Sequence, residues 1–136
     1  MKTKQATVAL IIKDGLILSI NRRNDKTKYG LIGGKVDLGE TLSSALIREV
    51  KEESNISVID YSLIYSRVEP GGLDGVDYNT YCYYINSWDG LPQSSDEGDL
   101  KWLSQSELTG ANGAFPKYNS DTLNVFKNKF PNVFLI

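Results

Sequence analysis

No histidine occurs anywhere in the 136 residues. Its absence removes the commonest general base and the commonest transition-metal ligand together. Serine-histidine and cysteine-histidine nucleophile systems and histidine-based zinc sites are thereby excluded. Any acid-base or metal chemistry must run on Asp and Glu, helped by Lys or Tyr, and carboxylates suit hard cations such as Mg²⁺ and Mn²⁺. Cysteine is almost as scarce: the single Cys82 cannot form an internal disulfide, which fits a reducing, cytoplasmic setting. Long apolar runs are missing too, and none approaches the roughly 20 residues that a helix needs to cross a bilayer. The start Met1-Lys2-Thr3-Lys4 leads into an alternating strand pattern rather than a signal-peptide core. A soluble protein with no membrane partner is expected. Nor is there an excess of positive charge: 15 basic and 17 acidic residues leave −2. Without a global basic field, long nucleic acid is not an expected partner.

What is present suffices for one core. At 40% hydrophobic residues, a chain of this length supports one domain spanning residues 1–136. Thr7 to Ile12 is rich in β-branched and aliphatic residues, Asp14-Gly15 is a favoured two-residue hairpin turn, and Leu16 to Ile20 reads as the returning strand. Asn21 to Tyr29 is polar and leads into Gly30-Leu31-Ile32-Gly33-Gly34, read as a continuing loop. From Thr41 to Ser54, Leu42, Ala45, Leu46 and Val50 recur at helical spacing, with Thr41 as N-cap. Strands are expected over Ile56 to Val68, as one long strand or a bent pair, then over Thr80 to Ser87 and Leu100 to Leu103, with loops at Glu69 to Tyr78 and Asp89 to Asp99. Ser104 and Glu107 form a capping-box pattern for a short helix. A last amphipathic helix is expected over Ser120 to Phe130, stopping at Pro131. This order predicts an α+β fold with a mixed β-sheet between helices.

The helix at 41–54 carries the chemistry. At about 100° per residue, Glu49 and Glu53 lie about 40° apart around it, and Glu52 sits about 60° from Glu49 on the other side. Carboxylates gathered on one face repel and raise one another's pKa unless a cation sits among them. Arg48 is placed to pair with them and hold their orientation. Taken as a charge run alone, the same residues read more readily as a solvated helix face.

Gly34, Glu40, Arg48, Glu49, Val50, Glu52, Glu53 and Ile56 together resemble the signature of the Nudix (MutT-like) hydrolases: glycine, five residues, glutamate, seven residues, then Arg-Glu-aliphatic-x-Glu-Glu-x-Gly-aliphatic. One position departs, since Asn55 replaces the last glycine. Asn is the residue that best substitutes for glycine in the left-handed conformation that ends a helix. Ile32 stands where relatives often carry proline, which suggests a looser glycine loop.

The resemblance implies an αβα sandwich and hydrolysis of a nucleoside diphosphate linked to a further group. Glu49, Glu52 and Glu53 would hold one or more Mg²⁺ ions, with Mn²⁺ as a substitute. The Gly33 carbonyl would add a ligand, and Glu49 is the first choice of base. Glu97, in the loop Asp96 to Asp99, is either a further metal ligand or part of a plain polar loop. Arg23 and Lys35 are placed to meet phosphate oxygens. Phe115-Pro116-Lys117-Tyr118-Asn119 resembles a stretch of MutT-type enzymes in which asparagine reads the base edge, so Asn119 either discriminates a purine or caps the last helix. Tyr78, Tyr81, Tyr83 and Trp88 either stack on a base or pack the sheet. The leading expectation is a (deoxy)nucleoside triphosphate pyrophosphohydrolase, with oxidised guanine nucleotides among the candidate substrates. Hydrolysis of ADP-ribose, a nucleotide sugar or a dinucleoside polyphosphate is the alternative, and a non-catalytic nucleotide sensor the third. The partner is a small nucleotide, and the chain is a monomer or homodimer.

Overall fold

The computed structural model describes residues 3–71 and 75–136. Met1, Lys2 and the middle of the expected loop between Glu69 and Tyr78, residues 72–74, lie outside the described residues. The strands are β1 (Lys4–Leu10), β2 (Ile12–Lys13), β3 (Leu16–Asn21), β4 (Tyr29–Lys35), β5 (Ser57–Glu69), β6 (Tyr78–Asp89) and β7 (Leu100–Leu103). The helices are α1 (Leu42–Ser54), α2 (Gln105–Thr109) and α3 (Pro116–Lys129).

The strands form one mixed sheet in the order β2-β3-β4-β1-β6-β5, with β7 paired to β3. Asp14 and Gly15 both take positive φ, 52° and 80°, the conformation that the tight hairpin between β2 and β3 demands. Strand β1 runs antiparallel to β4 and parallel to β6. Its alternation divides the core: Ala9, with Ile11 just beyond the strand, meets Leu46 and Val50 of α1 on one face, while Leu10 meets Leu123 and Phe126 of α3 on the other. Cys82 is fully buried on the α3 side. The sheet is therefore sandwiched between α1 and the α2-α3 pair, the expected αβα arrangement. No helix among the described residues is long and apolar enough to cross a membrane.

Local chemistry sets the helix ends. Thr41 accepts the Ser44 N–H and the Ser44 hydroxyl accepts the Thr41 N–H, a reciprocal cap that opens α1. Asn55 closes it at φ 64° and ψ 15°, with its N–H on the Lys51 carbonyl at 2.9 Å, as the Gly-to-Asn departure predicted. Ser104 and Glu107 cap α2 in the same reciprocal way.

Two expectations need correcting. The glycine stretch is a strand, β4, because its inward positions alternate regularly: Ile32 is fully buried under α1, and Tyr29 and Leu31 pack on the opposite face. Ile32 thus anchors the segment rather than loosening it. The last helix begins at Pro116, four residues before Ser120, because proline supplies the first-turn geometry and has no N–H to leave unpaired.

Candidate active site

Helix α1 lies across β1 and β4. Leu46 and Val50 point into the core, which turns Glu49 and Glu53 toward the glycines of β4. The Gly33 N–H donates to Glu53 Oε1 at 2.7 Å. A side chain on Gly34 would overlap the Glu49 carboxylate, and one on Gly33 would overlap the Thr7 carbonyl oxygen. The paired glycines therefore permit two close approaches, strand to strand and carboxylate to strand. These differ in kind. Gly34→Ala meets only the end of a flexible side chain, so it should leave the fold nearly intact, displace Glu49 and lower kcat at least about tenfold. Gly33→Ala meets backbone and should lower Tm sharply. Thermal melts and turnover of the two variants together check this contrast.

Arg48 is the hub of the acidic face. Its Nε and Nη2 donate to the two Glu40 oxygens, each at 2.8 Å. Nη1 donates to Glu49 at 2.8 Å and to Glu52 at 3.3 Å. Nη2 also reaches the Lys35 carbonyl at 3.0 Å. The fork geometry suits arginine and not lysine. Arg48 holds Glu40 well below the usual carboxylate range, at about 2. Glu40 is the site residue that sequence reasoning passed over. The signal was present in the signature itself, where Glu40 has a fixed spacing from Arg48.

The three helix acids share one flank but not one partner: Glu49 and Glu52 share Arg48, and Glu53 accepts from the Gly33 N–H. Among the described residues, no three acids already converge as ligands of one ion. Glu53 is pushed up to about 8, first by burial, against the Gly33 hydrogen bond, and then by the charges of Glu49, Glu97 and Glu52. Glu49 is also raised, again mainly by burial, with Arg48 opposing. Burial, more than the mutual repulsion anticipated from spacing, is the main cause.

This has a consequence for stability. Glu53 keeps its proton in the fold up to about pH 8, whereas an ordinary glutamate releases it near 4.5. The stabilisation from the protonated, buried form is complete below that lower value and is lost as pH rises through about 8. In divalent-free buffer, Tm should fall over this window more steeply for the native chain than for Glu53→Gln. Mg²⁺ should reduce the difference, and paired melts with and without the ion measure it.

Glu97 faces the same acids, since its charge raises both Glu49 and Glu53. Its carboxylate pairs with Arg23 at 2.7 Å, with both side chains well exposed. Asn21 anchors the loop by accepting the Asp99 N–H at 2.9 Å. Arg23, Lys26 and the stretch from Ser95 to Asp99 thus line one cleft. Lys35 is exposed at the end of β4, with its ammonium 5.8 Å from the Tyr78 ring centre. Tyr81, Tyr83 and Trp88 pack on the α1-side core, as the packing alternative had it.

Asn119 has a structural job that neither alternative anticipated. It lies inside the first turn of α3, where Phe115 occupies the cap position, so it is not the cap. Its side chain is buried, and its amide donates to the Leu108 and Ala114 carbonyls at 2.9 and 2.8 Å. Both donors are committed to holding the segment between α2 and α3, which leaves the amide oxygen as the group that could meet a base edge.

The NUDIX domain model matches residues 2–125. The chain is 32% identical to the 8-oxo-dGTP diphosphatase of Haemophilus influenzae, over 74% of this chain and 71% of that protein. It is 30% identical to the CTP pyrophosphohydrolase of Escherichia coli, over 79% and 80%. The solution structure of the E. coli ORF135 protein superposes with a TM-score of 0.80 at 23% identity, covering 98% of this chain and 96% of that one. With the signature glutamates on α1 set against the β4 glycines, and the domain model spanning nearly all of its length, this chain belongs to the Nudix hydrolases, which act on pyrophosphate bonds.

Proposed function

We propose that this Nudix hydrolase is a Mg²⁺-dependent (deoxy)nucleoside triphosphate pyrophosphohydrolase, releasing a nucleoside monophosphate and pyrophosphate. The observation that carries the reading is the pair of partly buried carboxylates, Glu49 and Glu53, set against the β4 glycines within reach of Glu97's charge. Hard oxygen donors whose burial disfavours bare negative charge fit a hard divalent cation. Glu49, Glu52, Glu53, Glu97 and the Gly33 carbonyl are the groups that would hold it. Bound Mg²⁺ supplies neutralisation of the diphosphate and polarisation of the attacking water.

The chain's own residues do the rest. Glu49, made more basic by burial, accepts the proton of the attacking water. Arg48 touches the acids and not the substrate, so its role is to orient Glu49 and Glu52. Arg23 and Lys35 meet phosphate oxygens, Arg23 after exchanging its bond to Glu97. The triphosphate class is favoured because the two curated relatives above carry names of nucleoside triphosphate hydrolases, while their different bases leave base choice to experiment. A panel of canonical and oxidised nucleoside triphosphates, ADP-ribose, a nucleotide sugar and a dinucleoside polyphosphate, with Mg²⁺, is scored for phosphate, pyrophosphate and nucleotide products. Monophosphate plus pyrophosphate from a triphosphate supports the reading. Turnover confined to ADP-ribose, a sugar nucleotide or a dinucleotide replaces the substrate class, and binding without turnover replaces catalysis by sensing.

A further inference from the structure

Three buried side-chain hydroxyls among the described residues make no hydrogen bond of good geometry: those of Thr7, Tyr118 and Thr122. Tyr118 and Thr122 lie one turn apart on α3 and stand with Thr80 in a polar group of their own. Thr7 differs in where it faces. In the sheet it sits opposite Gly34 on one side and Tyr81 on the other. Thr7 and Ala9 share a face of β1, and Ala9, with Tyr81 beside Thr7, places that face under α1. On the same face, the space beside Gly34 is filled by the Glu49 carboxylate. Paired residues hold their side chains about 5 Å apart at Cβ. The Thr7 side chain, 0% exposed, therefore stands next to the carboxylate assigned to take the proton.

A buried hydroxyl without a partner costs stability, and valine would fill nearly the same volume without that cost. A penalty kept at one spot beside the reacting group is the mark of a residue that finds its partner only in the working state. We propose that Thr7 is a positioning residue: once a Glu49 oxygen has left Arg48 in the working state, the Thr7 hydroxyl donates to the Glu49 carboxylate and fixes the oxygen that accepts the proton. This rests on the role given to Glu49 above.

The test uses the full chain as wild type, Thr7→Val, Thr7→Ser and Glu49→Gln. Thr7→Val should lower kcat about tenfold with KM changed less than about twofold, while its Tm in divalent-free buffer rises. Thr7→Ser, which keeps the hydroxyl and loses the methyl, should recover at least about half of the wild-type kcat. Opposite movement of activity and stability, with rescue by serine, is a signature that a packing role would not give. Wild-type kcat in Thr7→Val, equal impairment in Thr7→Ser, or a parallel fall in Tm and kcat would each overturn the Thr7 role alone. A Glu49→Gln enzyme as active as wild type would overturn the assignment of Glu49, and the Thr7 role with it.

Discussion

Glu53→Gln is expected to lower kcat at least about a hundredfold while nucleotide binding survives and the metal-free protein becomes more stable at pH 8. Glutamine matches glutamate in size, and its carbonyl oxygen can still accept the Gly33 N–H that now reaches Glu53 at 2.7 Å. The fold therefore loses nothing in shape. What disappears is a charge that burial makes costly, as its rise to about 8 indicates. The same charge is the one that the proposed cation would need. Activity and stability should thus move in opposite directions, which a simple folding defect cannot produce. Turnover assays combined with nucleotide titration and melts at pH 8 read all three effects, and unchanged turnover would remove Glu53 from the site.

Arg48→Gln should lower kcat about a hundredfold, and unlike the first variant it should lower Tm as well. Arg48 satisfies Glu40, Glu49, Glu52 and the Lys35 carbonyl at once. Its removal leaves Asp37, Glu40, Glu49 and Glu52 without their common counter-charge. Glu40 would also lose the main cause of its lowered pKa, so the low-pH tolerance that it contributes should vanish. That contribution is present above the ordinary glutamate range and is lost as pH falls toward about 2. Arg48→Lys restores charge without the planar fork that spans both Glu40 oxygens, so rescue should be poor. Full recovery in Arg48→Lys would mean that charge alone matters and that the fork geometry does not.

Residue spacing made α1 legible, with its cap at Thr41, its end at Asn55 and its acidic flank, because a helix converts sequence distance directly into angle. The hairpin turn at Asp14-Gly15 was legible for a similar reason: few residues tolerate the required backbone. Strand β4 was hidden because three glycines in seven positions look like a loop, and only the neighbouring Thr7 carbonyl and Glu49 carboxylate explain why a side chain cannot stand there. The bulges that let β5 run from Ser57 to Glu69 against β6 were anticipated only as a choice between one long strand and a bent pair. At the site, the identity of the acids was plain from their order. The contacts that hold them in place were not, because Gly33 with Glu53 and Arg23 with Glu97 are separated by 20 and 74 residues. The capping alternative for Asn119 fails because the helix opens earlier, at Pro116, and a polar residue in a suggestive motif gives no sign that its amide donates to two carbonyls.

The most direct test is a calorimetric titration of Mg²⁺, repeated with Mn²⁺, into the native chain and into Glu49→Gln, Glu52→Gln and Glu53→Gln. Cation binding that weakens at least about tenfold in the Glu53 variant, and measurably in the other two, is what the carboxylate flank of α1 demands. Equal cation affinity in all four proteins would contradict it.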